Sequence, residues 1–243
     1  MKVLSIGNSF SQDAQRYVYK IAKSHGVDIE TDNLYIGGCS LERHYNNYIG
    51  EVKEYLYEIN GNGLGVFKHE QIEVVTLKMA LEREKYDVVT LQQVSHFSFD
   101  YRTYFPYINY LVELVKKYQP NAKIYLHQTW SYEDGCERLE KVGYKTAKDM
   151  FRDVKLSYDK VFNDISADGL IPSGLAIMKA MEQGLKVHRD TLHVSLGLGR
   201  FILALVWLKT LIGLDVNKVD FNDFDEEISQ ADKELAIKIV SEL

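Results

Sequence analysis

Proline and cysteine are scarce in this chain. Only 3 prolines occur in 243 residues, which leaves little room for long disordered linkers. The two cysteines, Cys39 and Cys136, form no CxxC pair. Neither a disulfide framework nor a cysteine-based zinc site is expected, and a reducing, cytoplasmic compartment is the simplest reading. Clustered positive charge is also missing. Lys and Arg number 29 against 35 Asp and Glu, for a net charge of −6, and they are scattered. That excludes the electrostatic footprint of a nucleic-acid binder. Long apolar runs are absent too. FILALVWL at 201–208 falls well short of the roughly 20 residues that span a bilayer, so no membrane partner is expected. At the N-terminus a single Lys2 precedes Val3-Leu4, and Ser5 and Gly7 interrupt the run, which does not make a secretory leader.

What remains is an ordinary globular composition, 46% hydrophobic and 26% charged, with no internal repeat. Its length suits one large α/β domain over 1–243. KVLSIG at 2–7 alternates like a strand, and DAQRYVYKIAKSHG at 13–26 has helical spacing closed by Gly26. IETDNLYIGG at 29–38 predicts a second strand, and Ser40 opens a short helix. Around 52–72, aromatic arms flank GNGLG and predict a hairpin decoration. YDVVTLQQ and AKIYLHQTW read as buried strands, and DGLIPSG as a short strand and turn. Amphipathic helices lie between them, and VSLGLGRFILALVWLKTLIG at 194–213 predicts a long apolar helix. Strands alternating with helices predict a mainly parallel sheet covered on both faces.

In such open sheets, ligands bind at the carboxyl ends of the strands. Those ends carry Gly7-Asn8-Ser9, Gly37-Gly38-Cys39-Ser40, Gln92-Gln93-Val94-Ser95-His96 and His127-Gln128-Thr129-Trp130. Ser9 reads in three ways. It can cap the helix that follows, act as a nucleophile beside backbone N–H groups, or belong to a phosphate loop. The last lacks both GxxxxGK[ST] and GxGxxG spacing. A nucleophilic serine needs a base, and the base an orienting acid. Among 7 histidines, His193 stands out in R-D-T-L-H, with Asp190 three residues ahead. A tight turn brings such an Asp to Nδ1 and leaves Nε2 pointing outward. The same pair also suits a plain capping turn. His188, Asp190 and His193 together suggest a metal site, without H-E-x-x-H spacing.

The order of these parts resembles the SGNH (GDSL-like) hydrolase superfamily. Its first block is usually Gly-Asp-Ser and is here Gly7-Asn8-Ser9; the fourth is matched by Asp190-x-x-His193. More narrowly, GNSFS, GGCSLERH, VVTLQQ, IPSG and D-x-x-H-x-S-x-x-x-G-R are similar to a subfamily described as a domain of unknown function. The resemblance implies a flavodoxin-like α/β/α sandwich and a Ser9–His193–Asp190 triad. It also implies an oxyanion hole built from the N–H groups of Ser9 and Gly38. The third-block Asn is missing from LQQVSHFS, and the Gln93 amide carries the same donor one methylene further out. Neither cofactor nor metal is expected. Asn8, His44, Gln92, His96 and Trp130 form a candidate substrate rim. Its mixture of aromatics, amides and imidazoles favours an acetylated sugar, or another small ester, over a lipid. The alternatives are a non-catalytic glycan-binding domain and a metal-dependent hydrolase.

Overall fold

The computed structural model of the protein describes residues 1–60 and 73–243. The described strands are β1 (Lys2–Gly7), β2 (Glu30–Tyr35), β3 (Tyr55–Asn60), β4 (Glu73–Val75), β5 (Val88–Leu91), β6 (Lys123–His127) and β7 (Gly169–Ile171). They form one sheet in the order β4-β3-β2-β1-β5-β6-β7. The β2, β1, β5, β6 and β7 strands run parallel, and β3 and β4 antiparallel to their neighbours. The anticipated hairpin is therefore no decoration. Its arms extend the sheet, β3 pairing with β2 and β4 with β3. The GNGLG segment between them lies outside the described residues.

Alternation along β1 sorts the two faces. Val3 joins the apolar layer beneath α1 (Ser9–Gln15), α2 (Val18–Ser24), α8 (Ser173–Glu182), α9 (Leu198–Ile212) and α10 (Gln230–Ser241). Leu4 and Ile6 join the opposite layer. That side packs on α3 (Leu41–Ile49), α4 (Leu77–Arg83), α5 (Tyr107–Tyr118), α6 (Glu137–Lys141) and α7 (Ala147–Asp164). The result is the three-layer α/β/α arrangement expected from the strand–helix alternation. The run FILALVWL is buried throughout, which explains its lack of a polar face.

Two local readings change. The first predicted helix is two, α1 and α2, broken at Arg16-Tyr17, and α1 starts earlier, at Ser9. The second strand ends at Tyr35, because Ile36 begins a turn in which Cys39 N–H donates to its carbonyl. No helix among the described residues is long and apolar enough to cross a membrane.

Candidate active site

The turn after β1 is built by Asn8 rather than Ser9. Asn8 is extended and caps α1: its Oδ1 accepts from the Phe10 N–H at 3.0 Å, and its own N–H donates to Ser11 Oγ at 3.1 Å. Gly7 is required here, since a Cβ would stand 2.1 Å from Ser11 Oγ. Ser9 is thus the first helical residue, and its hydroxyl is released from capping duty.

The loop between α8 and α9 brings the base. His188 and Val194 form an antiparallel bridge, and Arg189 N–H donates to the His193 carbonyl at 3.0 Å. Within this tight loop Asp190 Oδ1 accepts from the N–H groups of Leu192 (3.2 Å) and His193 (2.6 Å). Its Oδ2 accepts from His193 Nδ1–H at 2.7 Å. That fixes the tautomer, so His193 Nε2 is an acceptor and Ser9 O–H donates to it at 2.8 Å. Burial pushes the Asp190 carboxyl up, but the backbone N–H and ring of His193 and the Leu192 N–H outweigh it. The pKa is held at about 2, so Asp190 stays ionised at any working pH.

Ser9 and His193 open onto a pocket of about 230 Å³ whose walls include Asn8, Tyr35, Gly38, Ser95, His96 and Leu192. Gly38 has φ +62, in the region that glycine enters at no steric cost. The N–H groups of Ser9 and Gly38 donate to no other group among the described residues.

Several expected residues are placed elsewhere. Gln93 is interior: its Oε1 accepts from the N–H groups of Leu41 (3.2 Å) and Val94 (2.9 Å), and its Nε2 donates to both the carbonyl (2.9 Å) and the Oγ1 (3.3 Å) of Thr103. The amide is fully committed to joining three chain segments and has no donor left for an oxyanion. His44 is buried against Tyr55 and Cys39, away from the pocket. Trp130 is buried as well. It stacks on Phe10 at 3.8 Å, and its Nε1–H donates to the Leu192 carbonyl at 2.9 Å. It supports the His193 loop from below instead of touching a ligand. Gln92 lies beneath Asn8. Of the expected rim, Asn8 and His96 do line the pocket. His188 turns away from Asp190 and donates from Nε2 to the Ser131 carbonyl at 3.2 Å. Among the described residues no three His, Cys, Asp or Glu side chains gather as metal ligands.

The sequence reading missed Asp13 and its two arginines. Asp13 is fully buried on α1. It accepts from Arg189 Nη1 at 3.1 and 3.0 Å and from Arg200 Nε at 2.8 Å. Arg189 flanks Asp190 directly, so this cluster ties the acid–base loop to the helix that begins with Ser9. The signal was an Asp on the apolar side of a helix, with arginines on both sides of the D-x-x-H motif.

The domain-of-unknown-function family DUF4886 matches residues 2–240. The chain belongs to this family. A DUF4886 protein from Bacteroides uniformis has the same fold, with a TM-score of 0.88 and 29% identity over 100% of this chain and 93% of that one. More distant structures share the fold at lower identity. A candidate SGNH hydrolase from Slackia heliotrinireducens aligns at TM-score 0.61 and 22% identity, covering 87% of this chain and 98% of its own. An acetyl-xylooligosaccharide esterase from Geobacillus Stearmophilus aligns at 0.54 and 16%, covering 86% and 93%. No protein with a curated description matches. The DUF4886 chain described here thus has the architecture of the SGNH hydrolases.

Proposed function

We propose that this DUF4886 protein is a serine esterase that removes short acyl groups, acetyl above all, from a carbohydrate. The observation that carries the reading is the line Asp190–His193–Ser9, with its two contacts of 2.7 and 2.8 Å. His193 Nε2 takes the Ser9 proton as Oγ attacks the ester carbonyl carbon. The unpaired N–H groups of Ser9 and Gly38 receive the oxyanion. The imidazolium, stabilised by ionised Asp190, returns the proton to the leaving alcohol. The neutral imidazole then accepts a proton from water, which attacks the acyl-Ser9 carbonyl, and it gives that proton to Ser9 Oγ as the acyl–Oγ bond breaks and the carboxylic acid leaves. His96 stands in the segment where the resemblance expects an amide donor, and burial lowers its pKa. The ring is therefore neutral at pH 7, with one N–H donor and one acceptor nitrogen.

The small pocket favours a short acyl group, and the fold's likeness to an acetyl-xylooligosaccharide esterase supports the sugar. The test is a panel running from short-chain p-nitrophenyl esters to acetylated sugars. Activity should be highest for acetyl. Ser9→Ala and His193→Ala should lower kcat by on the order of 10⁴-fold or more, and Asp190→Asn by up to about 10⁴-fold. Wild-type protein inert both to p-nitrophenyl acetate and to fluorophosphonate labelling would remove the esterase reading. Glycan binding shared equally by wild type and Ser9→Ala would then identify a non-catalytic glycan module.

A further inference from the structure

A line of buried polar side chains crosses the sheet at the carboxyl ends of its parallel strands. Ser173 Oγ lies 3.0 Å from His127 Nε2, and His127 Nδ1 lies 2.7 Å from Gln92 Oε1. Gln92 Nε2 donates to Asn8 Oδ1 at 2.6 Å, and Asn8 Nδ2 donates to the Cys39 carbonyl at 3.1 Å. These residues stand at or just after the ends of β7, β6, β5, β1 and β2, which is the spatial order of the strands. Asn8, Gln92, His127 and Ser173 are each at most 2% exposed.

Chemistry fixes the direction of every link. Asn8 Oδ1 must be the acceptor, because the Phe10 N–H can only donate to it. Its Nδ2 must be the donor, because the Cys39 carbonyl can only accept. Gln92 therefore presents Nε2 to Asn8 and Oε1 to His127, and His127 carries its proton on Nδ1. Its Nε2 is left to accept from Ser173 O–H. Burial pushes the His127 pKa down to about 3, in keeping with a neutral ring. The donors all point one way, from Ser173 towards the turn that holds Gly38.

We propose that Gln92 and His127 are positioning residues of the oxyanion hole. Asn8 is bonded in sequence to Ser9, and the carbonyl it grips belongs to Cys39, next to Gly38. The chain therefore sets the separation of the two N–H groups assigned to the oxyanion, so this inference rests on the esterase reading. It also accounts for Asn in place of the superfamily's usual Asp at position 8, since an amide can donate to the Cys39 carbonyl and an ionised carboxylate cannot.

The test measures kcat and KM on p-nitrophenyl acetate, with binding of an aryl boronic acid as a tetrahedral mimic. His127→Phe and Gln92→Leu should lower kcat about 10- to 100-fold, below the roughly 10²–10³ cost of a lost donor, with KM within about twofold. Boronate affinity should fall in parallel with kcat. Asn8→Asp keeps the cap but loses the donor to Cys39. Its kcat relative to wild type should rise as pH falls, because protonating the introduced carboxyl restores that donor. Ser173→Ala, which removes only the terminal donor, should lower kcat the least and serves if the larger variants do not fold. Variants with unchanged kcat, a KM that moves with kcat, or an Asn8→Asp ratio flat with pH would overturn the proposal while Ser9→Ala is inactive. An active Ser9→Ala would instead overturn the esterase reading itself.

Discussion

The two walls of the site meet at the 2.8 Å contact between Ser9 and His193, yet they are held by different physics. The loop wall is fastened by charge. Asp13 joins Arg189 and Arg200, and Arg200 and Arg16 continue to Asp225 on the segment before α10. The strand wall is fastened by neutral amides, hydroxyls and one neutral imidazole. The arginines retain partial contact with water, 28% and 14% exposed, whereas the Asn8–Gln92–His127 line has almost none. A full charge on the strand wall would carry a large desolvation cost. The lesson is that an exposed loop can be pinned by ion pairs, while an interior seam is pinned by dipoles whose donors and acceptors match.

The comparison breaks most sharply at Asp13. Asp13→Ala removes the buried carboxylate on which Arg189 and Arg200 converge and should cost about 3–5 kcal/mol in urea unfolding. Asp13→Leu should do the same, since the loss comes from the stranded cations rather than the cavity. Stability equal to wild type would mean that the loop is held by its backbone bridge instead.

A smaller effect sharpens the strand wall. Glu58 on β3 is buried, accepting from Gln12 Nε2 at 2.5 Å and Asn33 Nδ2 at 2.8 Å. Asn33 in turn accepts from Ser11 Oγ, behind the Ser9 turn. Burial raises the Glu58 pKa to about 7, against the hydrogen bonds that lower it. Its folded pKa lies above the unfolded value of about 4.5, so the folded state binds the proton more tightly. The stability this supplies is complete below pH ~4.5 and is lost as pH rises through ~7. Relative to Glu58→Gln, wild type should lose about 2–3 kcal/mol between pH 5 and 8. A pH-independent difference would place the acid in water. The smallest effect tests the forked geometry of the loop wall. Arg200→Lys keeps the charge but loses the guanidinium fork that reaches both Asp13 and Asp225, and should cost about 1 kcal/mol by thermal unfolding.

Much of this was legible because it is local or periodic. The parallel strands follow from apolar runs separated by helical spacing, and Asp190 and His193 lie within one turn of each other. Gln93 and Trp130 were misread for a common reason. A polar group at a strand end can face the pocket or satisfy backbone groups beneath it, and residue type does not distinguish the two. Gln93 spends its amide on Leu41, Val94 and Thr103, and the Trp130 indole N–H serves the Leu192 carbonyl. The hairpin was legible but its joining to the sheet was not, because aromatic arms signal antiparallel pairing with each other and not attachment to β2. Asp13 escaped notice because its partners are 176 and 187 residues away.

The chain has 2 tryptophans, both edge-on to the His127 ring, and Trp130 also reaches the loop wall. Trp130 is hydrogen-bonded to the carbonyl beside His193, and Trp207 lies edge-on to the His127 ring at 5.1 Å. The protein thus carries its own pair of fluorophores. Trp130 emission will follow both walls, while Trp207, whose indole N–H has no partner among the described residues, will follow the interior seam. Trp130→Phe leaves the seam's signal alone, so unlabelled protein can report which wall responds when an ester enters.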